Sequence, residues 1–258
     1  MDADLALAME TAREAGKAVL GFFRKELSIR DKGNDNPVTQ ADLEADRILK
    51  MRLLGSRPDY GWLSEETTDS PERLQKRRVW VVDPIDGTKE FIRGVPEFAI
   101  SIGLAEEGSA ILGVVYNPAT SEMFLAMRGE GAHLDGRPIR VSSTCAIEDA
   151  LLEASRTEFA GGRFARIRKS ISRIEPIGSI AYKLARVAAG QADMVFSFTP
   201  KSEWDLCGAA AILSAAGGVI SLPDGGPIRF NRANTQFPGV AATNGLLHPA
   251  LLDLIAQG

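Results

Sequence analysis

The stretch of sequence that decides the fold runs VWVVDPIDGTKEF, from Val79 to Phe91. Its first residues are apolar and β-branched, which predicts a buried strand. The strand ends at Asp83, and a second carboxylate follows at Asp86. Two carboxylates three residues apart repel each other unless cations lie between them, and hard oxygen ligands suit Mg²⁺. We therefore expect a metal site at the end of this strand.

Gly87 permits a tight turn directly after the two carboxylates. The backbone N–H groups of Thr88 and Lys89 would then point outward, as at a helix N-terminus, where phosphate binds. Asp-Pro and Asp-Gly pairs are also ordinary turn formers, so a plain turn between a strand and a helix is the alternative interpretation. The rest of the chain has to decide between the two.

Length and composition limit the classes of protein. A chain of 258 residues, 45% of them hydrophobic, can bury a large core. The net charge of −4, with Lys and Arg dispersed, argues against a nucleic-acid polymer as partner, whereas a small phosphorylated metabolite needs only a local positive site. Two cysteines without a pairing pattern, an acidic N-terminus and no apolar run of about 18 residues predict a cytoplasmic protein with no membrane span.

The first half of the chain predicts helices followed by an antiparallel sheet. Apolar residues at helical spacing predict helices near 5–23 and 39–54. After the central stretch, strands are predicted at 97–104, 111–116 and 123–127, with a hairpin in 129–140.

The second half instead alternates between strands and helices. The predicted strands are 150–154, 174–177, 194–198, 219–222 and 240–243, and the predicted helices are 162–171, 179–190, 206–216 and 249–256. Such alternation is typical of an α/β half. We therefore predict an α+β half over 1–143 that carries most of the metal ligands. An α/β half over 144–258 would carry Asp205 and the substrate-side residues.

Three acidic positions outside the central stretch complete the pattern. Asp42 lies three residues after Thr39, where a capping box at a helix start is the alternative interpretation. Glu65 and Glu66 follow a short predicted strand and could equally be a solvated loop. Asp205 opens an Ala-rich helix, where an acid also interacts favourably with the helix dipole.

In chain order these residues resemble the inositol monophosphatase superfamily of magnesium-dependent, lithium-sensitive phosphatases. The resemblance covers nearly the whole chain and rests on Asp42 after Val38-Thr39, on Glu65-Glu66, on DPIDGT at 83–88, and on Trp204-Asp205 leading to AGG at 216–218. It implies a layered α-β-α-β-α sandwich of the inositol monophosphatase and fructose-1,6-bisphosphatase type, made of α+β and α/β halves and assembled as a homodimer.

The resemblance also implies two or three Mg²⁺ ions per active site. A first ion would be held by Glu65, Asp83 and the carbonyl of Ile85, and a second by Asp83, Asp86 and Asp205. Asp42, Glu65 and Thr88 would be catalytic, because they would orient and deprotonate the attacking water. Glu66 is the less favoured ligand of its pair.

The substrate is predicted from finer features. The run DGTKEF resembles the branch of 3′(2′),5′-bisphosphate nucleotidases, which convert adenosine 3′,5′-bisphosphate to AMP and phosphate in sulfur metabolism. Members that prefer inositol place an acidic residue seven positions before the Trp-Asp aspartate, where this chain has Phe198. A phenyl ring cannot accept hydrogen bonds from sugar hydroxyls but could pack against a nucleobase, unless it is simply part of the core.

The resemblance extends to a set of substrate-binding positions, which are Asp86, Gly87, Thr88, Ser155, Arg156, Ser179, Lys183 and Asp205. Arg156 or Lys183 could hold a second phosphate, or both could be surface charges. The alternative substrates are those of inositol-1-monophosphatase, fructose-1,6-bisphosphatase and histidinol-phosphatase. An alternative of another class is a catalytically silent regulatory binding protein, which would release no phosphate from any ester.

Overall fold

The computed structural model describes residues 2–33 and 36–257. The α-helices of the described residues are α1 (Ala3–Leu20), α2 (Gln40–Ser56), α3 (Thr88–Ile92), α4 (Arg156–Ala160), α5 (Ile180–Ala188), α6 (Glu203–Ala215) and α7 (His248–Ala256). None of these helices is both long and apolar enough to cross a bilayer.

The strands fall into two large sheets and two small ones. In the first part of the chain they are β1 (Ile29–Asp31), β2 (Pro37–Thr39), β3 (Gly61–Ser64), β4 (Arg78–Asp86), β5 (Ala99–Glu106), β6 (Ser109–Asn117), β7 (Glu122–Met127), β8 (Gly131–Leu134) and β9 (Arg137–Ile139). In the second part they are β10 (Leu151–Ser155), β11 (Arg173–Ile177), β12 (Met194–Ser197), β13 (Lys201–Ser202), β14 (Val219–Ser221), β15 (Gln236–Phe237) and β16 (Val240–Thr243).

The larger sheet contains β3 to β9 in chain order. Its strands pair antiparallel as predicted, except that β3 runs parallel to β4. Successive residues of β4 point to opposite faces, so Trp80 and Val82 pack with α1 and α2, while Val79 and Val81 pack with α5 and α6. Because both faces are covered by helices, β4 reads as a continuous apolar run rather than an alternating one.

The second sheet has five strands in the order β11-β10-β12-β16-β14, and β10 is parallel to both of its neighbours. One face of this sheet packs against α5 and α6, and the other packs against α7. The layers are therefore α1 and α2, the seven-stranded sheet, α5 and α6, the five-stranded sheet, and α7. This is the layered sandwich expected from the resemblance, which is confirmed; the domain division after residue 143 stays a prediction.

The helix predicted over 162–171 is wrong. The chain instead forms the short helix α4 and then turns, with a 3₁₀ turn at Ile167–Lys169. Gly162 has φ +74°, a left-handed conformation that cannot continue an α-helix. Phe164, Ile167 and Ile171 are buried at spacings that imitate one face of a helix, which explains the error.

Glycines bring α6 unusually close to the seven-stranded sheet. A Cβ atom on Gly113 would lie 1.9 Å from the carbonyl oxygen of Gly208, and one on Gly103 would lie 2.6 Å from Cys207 Sγ. Only residues without a side chain allow this approach. It brings the first turn of α6, which carries Asp205, to the end of β4.

Candidate metal and phosphate site

An acidic cluster lies where the end of β4 meets the start of α6. Asp83, Asp86 and Asp205 each offer a carboxylate oxygen, and these oxygens lie within 4.8 Å of one another. Asp83 and Asp86 face Ser101 and Ala99 of β5, and the strand register shifts between the two pairs. Such an irregularity re-aims side chains at a strand end. Here it lets two aspartates three residues apart point to one side.

The electrostatics of the cluster favour a bound cation. Burial, followed by the charges of Glu65 and Asp86, raises the pKa of Asp83 well above its ordinary value. Burial also raises the pKa of Asp86 to about 6, and burial together with the charge of Asp86 raises the pKa of Asp205 to about 7. Carboxylates that disfavour one another's ionisation are stabilised when a divalent cation lies between them.

Glu65 lines the same cavity beside this cluster, in the loop after β3. Lys32, from the hairpin of β1 and β2, donates to Glu65 Oε1 at 2.7 Å and to Glu66 Oε1 at 2.8 Å. Burial raises the pKa of Glu66, and the hydrogen bond from Lys32 opposes that shift. The pair is therefore held in place, and the interpretation as a freely solvated loop does not apply.

Thr88, which directly follows the turn at Gly87, contacts Asp42. Its hydroxyl oxygen lies 3.0 Å from Asp42 Oδ1 and 3.0 Å from the carbonyl oxygen of Ile85, and either can accept its proton. The other oxygen of Asp42 accepts hydrogen bonds from Thr39 N and Thr39 Oγ1, in a capping box that starts α2. The capping interpretation is confirmed, and the same carboxylate also contacts Thr88.

Asp86 is fixed from the second half of the chain. Ser179 Oγ donates to Asp86 Oδ2 at 2.5 Å, and the backbone N–H of Ala181 donates to the same oxygen at 2.6 Å. Ser179 adopts φ +56°, which is uncommon for a residue with a side chain. In this left-handed conformation, at the start of α5, Ser179 thus holds the carboxylate of Asp86 in the acidic cluster.

Besides Lys89, three basic side chains line the cavity, which has a volume of about 400 Å³. Arg156 pairs with Glu97 through three hydrogen bonds, from Nε to Oε2 at 3.0 Å and from Nη2 to Oε1 at 2.5 Å and to Oε2 at 2.6 Å. Lys183 is buried and donates to the carbonyl of Ile177 at 3.1 Å. Burial lowers the pKa of Lys183 to about 8, although the charge of Asp86 opposes this shift. The third side chain is Lys201.

The model of the inositol monophosphatase family matches residues 1–257. The chain belongs to this family.

Relatives in the inositol monophosphatase family match over most of their length. The inositol-1-monophosphatase of Mesorhizobium japonicum is 32% identical, covering 96% of this chain and 94% of that protein. The histidinol-phosphatase of Chlorobaculum parvum is 34% identical, covering 84% of this chain and 85% of that protein. The extragenic suppressor protein suhB from Bartonella henselae has a solved structure with a TM-score of 0.88 and 29% identity, covering 100% of both chains.

Membership of the inositol monophosphatase family makes this protein a magnesium-dependent phosphatase that hydrolyses phosphate monoesters. The donor set fits that metal, because Asp83, Asp86 and Asp205 present only carboxylate oxygens to the cluster. Hard oxygen ligands of this kind suit Mg²⁺ rather than zinc.

The fold of the inositol monophosphatase family brings nearly all of the predicted site residues to one cavity. Those lining it are Glu65, Asp83, Ile85, Asp86, Gly87, Thr88, Ser155, Arg156, Ser179, Lys183 and Asp205. Asp42 lies behind Thr88 and reaches the cavity through it. The individual roles of these residues stay predictions.

Two charged residues of the cavity region were missed by the sequence reasoning. Glu97 holds Arg156 and also accepts a hydrogen bond from Gly178 N at 2.8 Å, but nothing in its local sequence signals this. Lys201 could have been found, because it lies four residues before Asp205 in the run that leads into α6. Phe198 is partly buried and packs edge-on against the core residue Phe196, with ring centroids 5.1 Å apart.

Proposed function

We propose that this phosphatase is a 3′(2′),5′-bisphosphate nucleotidase that converts adenosine 3′,5′-bisphosphate and water to AMP and phosphate. The observation that carries the proposal is the charge of the cavity lining, in which basic side chains, among them Arg156, Lys183 and Lys201, face the same space as the carboxylates. Such a cavity suits a substrate that has one phosphate at the metals and another bound by a basic side chain. Residue 198 offers no carboxylate to the hydroxyls of a polyol.

The acidic cluster and its neighbouring residues would hold two or three Mg²⁺ ions. Glu65, Asp83 and the Ile85 carbonyl would bind one, and Asp83, Asp86 and Asp205 another. When bound, Mg²⁺ supplies charge neutralisation for the phosphoryl group and polarises water. Asp83 would belong to both sets, which accords with its complete burial at the centre of the cluster.

The protein's own groups would position the nucleophile. Asp42 would accept the hydrogen bond of the Thr88 hydroxyl, which would leave the lone pairs of Thr88 Oγ1 to accept a hydrogen bond from the attacking water. Glu65 would be the neighbouring carboxylate that takes up the water proton. The backbone N–H groups of Gly87 and Thr88 would bind the phosphate that is released.

The remaining predicted contacts would shape the substrate side. Ser179 would act chiefly through Asp86, because its hydroxyl already donates to that carboxylate. Arg156 would present the edge of its guanidinium that Glu97 leaves open, and Ser155 lies beside it at the start of α4. Lys183 would place a positive charge behind the scissile phosphate.

The test compares kcat/KM with Mg²⁺ for adenosine 3′,5′-bisphosphate, inositol-1-phosphate, fructose-1,6-bisphosphate and histidinol phosphate on one preparation. We expect a preference of about a hundredfold for the nucleotide, equivalent to roughly 2.7 kcal/mol of differential transition-state stabilisation. A preference for any other ester contradicts the nucleotidase proposal and leaves the metal chemistry intact.

Inositol-1-phosphatase is the second candidate function, because the relative from Mesorhizobium japonicum carries that name. The substrate panel decides between the two functions directly. We further propose a cytoplasmic homodimer, for which light scattering of the purified protein gives the assembly state. The free thiols of Cys145 and Cys207 accord with a reducing compartment.

A further inference from the structure

Arg156, Lys183 and Lys201, three of the basic residues that line the cavity, differ in how their charges are balanced. Arg156 makes a two-pronged ion pair with Glu97, and its positive charge is largely offset by that carboxylate. Lys183 is buried, and the charge of Asp86 stabilises its protonated form. Neither residue has a free charge to offer to a second anionic group of a substrate.

The hydrogen-bond acceptors of Lys201 are both neutral. Its Nζ donates to Thr199 Oγ1 at 2.8 Å and to the Pro200 carbonyl at 3.3 Å. Among the described residues, no carboxylate forms an ion pair with it within 4.0 Å. It is half-buried and lines the cavity, so its charge faces the space that a substrate would enter.

The segment that carries Lys201 is held rigidly. The buried carboxylate of Glu158, on α4, accepts hydrogen bonds from Ser197 Oγ at 2.9 Å, from Phe198 N at 2.9 Å and from Thr199 N at 3.2 Å. These bonds fix the turn between β12 and β13. A cation on a pre-formed turn binds an anion without first paying to order the chain.

We propose that Lys201 is a specificity-determining residue that binds the second phosphate of the substrate, in the part of the cavity lined by the segment that leads into α6. The inference rests on the proposed function and deepens it, because it assigns the preference for a bisphosphate to one side chain. The cavity volume of about 400 Å³ lies within the range of small-ligand sites. Lys201 and Asp205 are four residues apart, so one segment contributes both a cation and a carboxylate to the cavity lining.

The experiment compares two substrates that differ only in the second phosphate, adenosine 3′,5′-bisphosphate and adenosine 3′-phosphate. For each protein the readout is the ratio of the two kcat/KM values, measured by phosphate release with Mg²⁺. In Lys201→Met we expect this ratio to fall by about tenfold or more, because a hydrogen bond between charged groups is lost. Lys201→Gln should show the same loss while it keeps a polar contact with Thr199.

Two control variants sharpen the comparison. Lys201→Arg keeps the positive charge and should keep the ratio within about threefold of wild type. Lys50→Met makes the same change in net charge at an exposed position of α2, so it should leave the ratio unchanged.

The outcomes separate this inference from the proposed function. An unchanged ratio in Lys201→Met overturns the inference, as does an equal loss on both substrates, which would place the effect of Lys201 at the nearby Asp205. If wild type hydrolyses fructose-1,6-bisphosphate and neither nucleotide, the proposed function fails. The same variants then test Lys201 with fructose-1,6-bisphosphate against fructose-1-phosphate, where a fall in that ratio supports the inference and no fall overturns it.

Discussion

Asp83 is the residue on which the acidic cluster depends most. It is only 1% exposed, and the charges of Glu65, Asp86, Asp205 and Asp42 all raise its pKa. A carboxylate buried among carboxylates is costly for a metal-free protein, so its position is explained by a ligand rather than by packing. Its one local hydrogen bond, from Ile85 N to Asp83 Oδ1 at 3.0 Å, would survive replacement by asparagine.

For Asp83→Asn we therefore expect a folded protein that has lost at least about a hundredfold in kcat, because the shared metal ligand has lost its charge. The rise in melting temperature that Mg²⁺ causes in wild type should disappear. The measurements are phosphate release and thermal unfolding with and without Mg²⁺, and Asp59→Asn, an exposed aspartate, is the control. Wild-type turnover in Asp83→Asn would rule out a metal site centred on this residue.

At the scale of elements, the site depends on how closely α6 approaches the seven-stranded sheet. Gly113 on β6 and Gly208 on α6 leave no room for a side chain between them. The contact sets the height of α6 above the sheet, and so the distance from Asp205 to the end of β4. Small residues at this crossing are a condition for the metal site.

Gly113→Ala should destabilise the protein by about 1–3 kcal/mol, because the new methyl group would overpack the contact with Gly208. Gly55→Ala is the matched control. Gly55 lies in α2, and a methyl group there would meet no atom of another element within 4 Å, so alanine should stabilise by up to about 1 kcal/mol. Urea unfolding measures both variants, and equal stability of Gly113→Ala and wild type would show that the layers can separate without cost.

At the scale of the whole molecule, the sandwich brings carboxylates and basic side chains to one cavity. The first half supplies Glu65, Asp83 and Asp86, and the second half supplies Asp205 and three of the basic residues. Binding of Mg²⁺ should therefore stabilise the two halves together, since its ligands come from both. The size of this effect should depend on pH, because the carboxylates have raised pKa values.

The sign of the pH dependence follows from Asp86, with a pKa of about 6, and Asp205, with a pKa of about 7, against an ordinary value of 3.8. Both pKa values are higher in the folded state, so their contribution to stability is present below about pH 4 and is lost as pH rises to about 7. Without metal, the free energy of unfolding should fall across this range. With saturating Mg²⁺ the fall should be reduced, because the ion binds the ionised carboxylates of the folded state.

Thermal unfolding in EDTA and in Mg²⁺, measured from about pH 4 to about pH 8, gives the two stability curves. The difference between the curves isolates the acidic cluster from other titrating groups, such as Glu153 and Glu203, which contribute to both. If the difference in stability between the Mg²⁺ and EDTA curves does not increase with pH, the prediction is contradicted.

Predictions from the local sequence are confirmed where the interactions join residues that are close together in the chain. The buried strand at 79–82, the turn at Gly87 and the capping box of Thr39 and Asp42 each follow from residues within a few positions of one another. The helix predicted over 162–171 is wrong because the apolar spacing of this segment comes from its packing on distant parts of the fold and not from local helical structure. Burial of Phe164, Ile167 and Ile171 under the five-stranded sheet produced a helical spacing without a helix.

The sequence by itself determined the family, the layered fold and the set of acidic residues, because these depend on residue types in a fixed order along the chain. Only the tertiary structure decided which charges remain available in the cavity. Arg156 is paired by Glu97, from 59 residues away, and Phe198 packs against Phe196, while Lys201 forms no ion pair among the described residues. Whether a charged side chain is paired depends on which charged groups lie within a few ångströms of it. Residues far apart in sequence come that close only when the layers of the fold pack together.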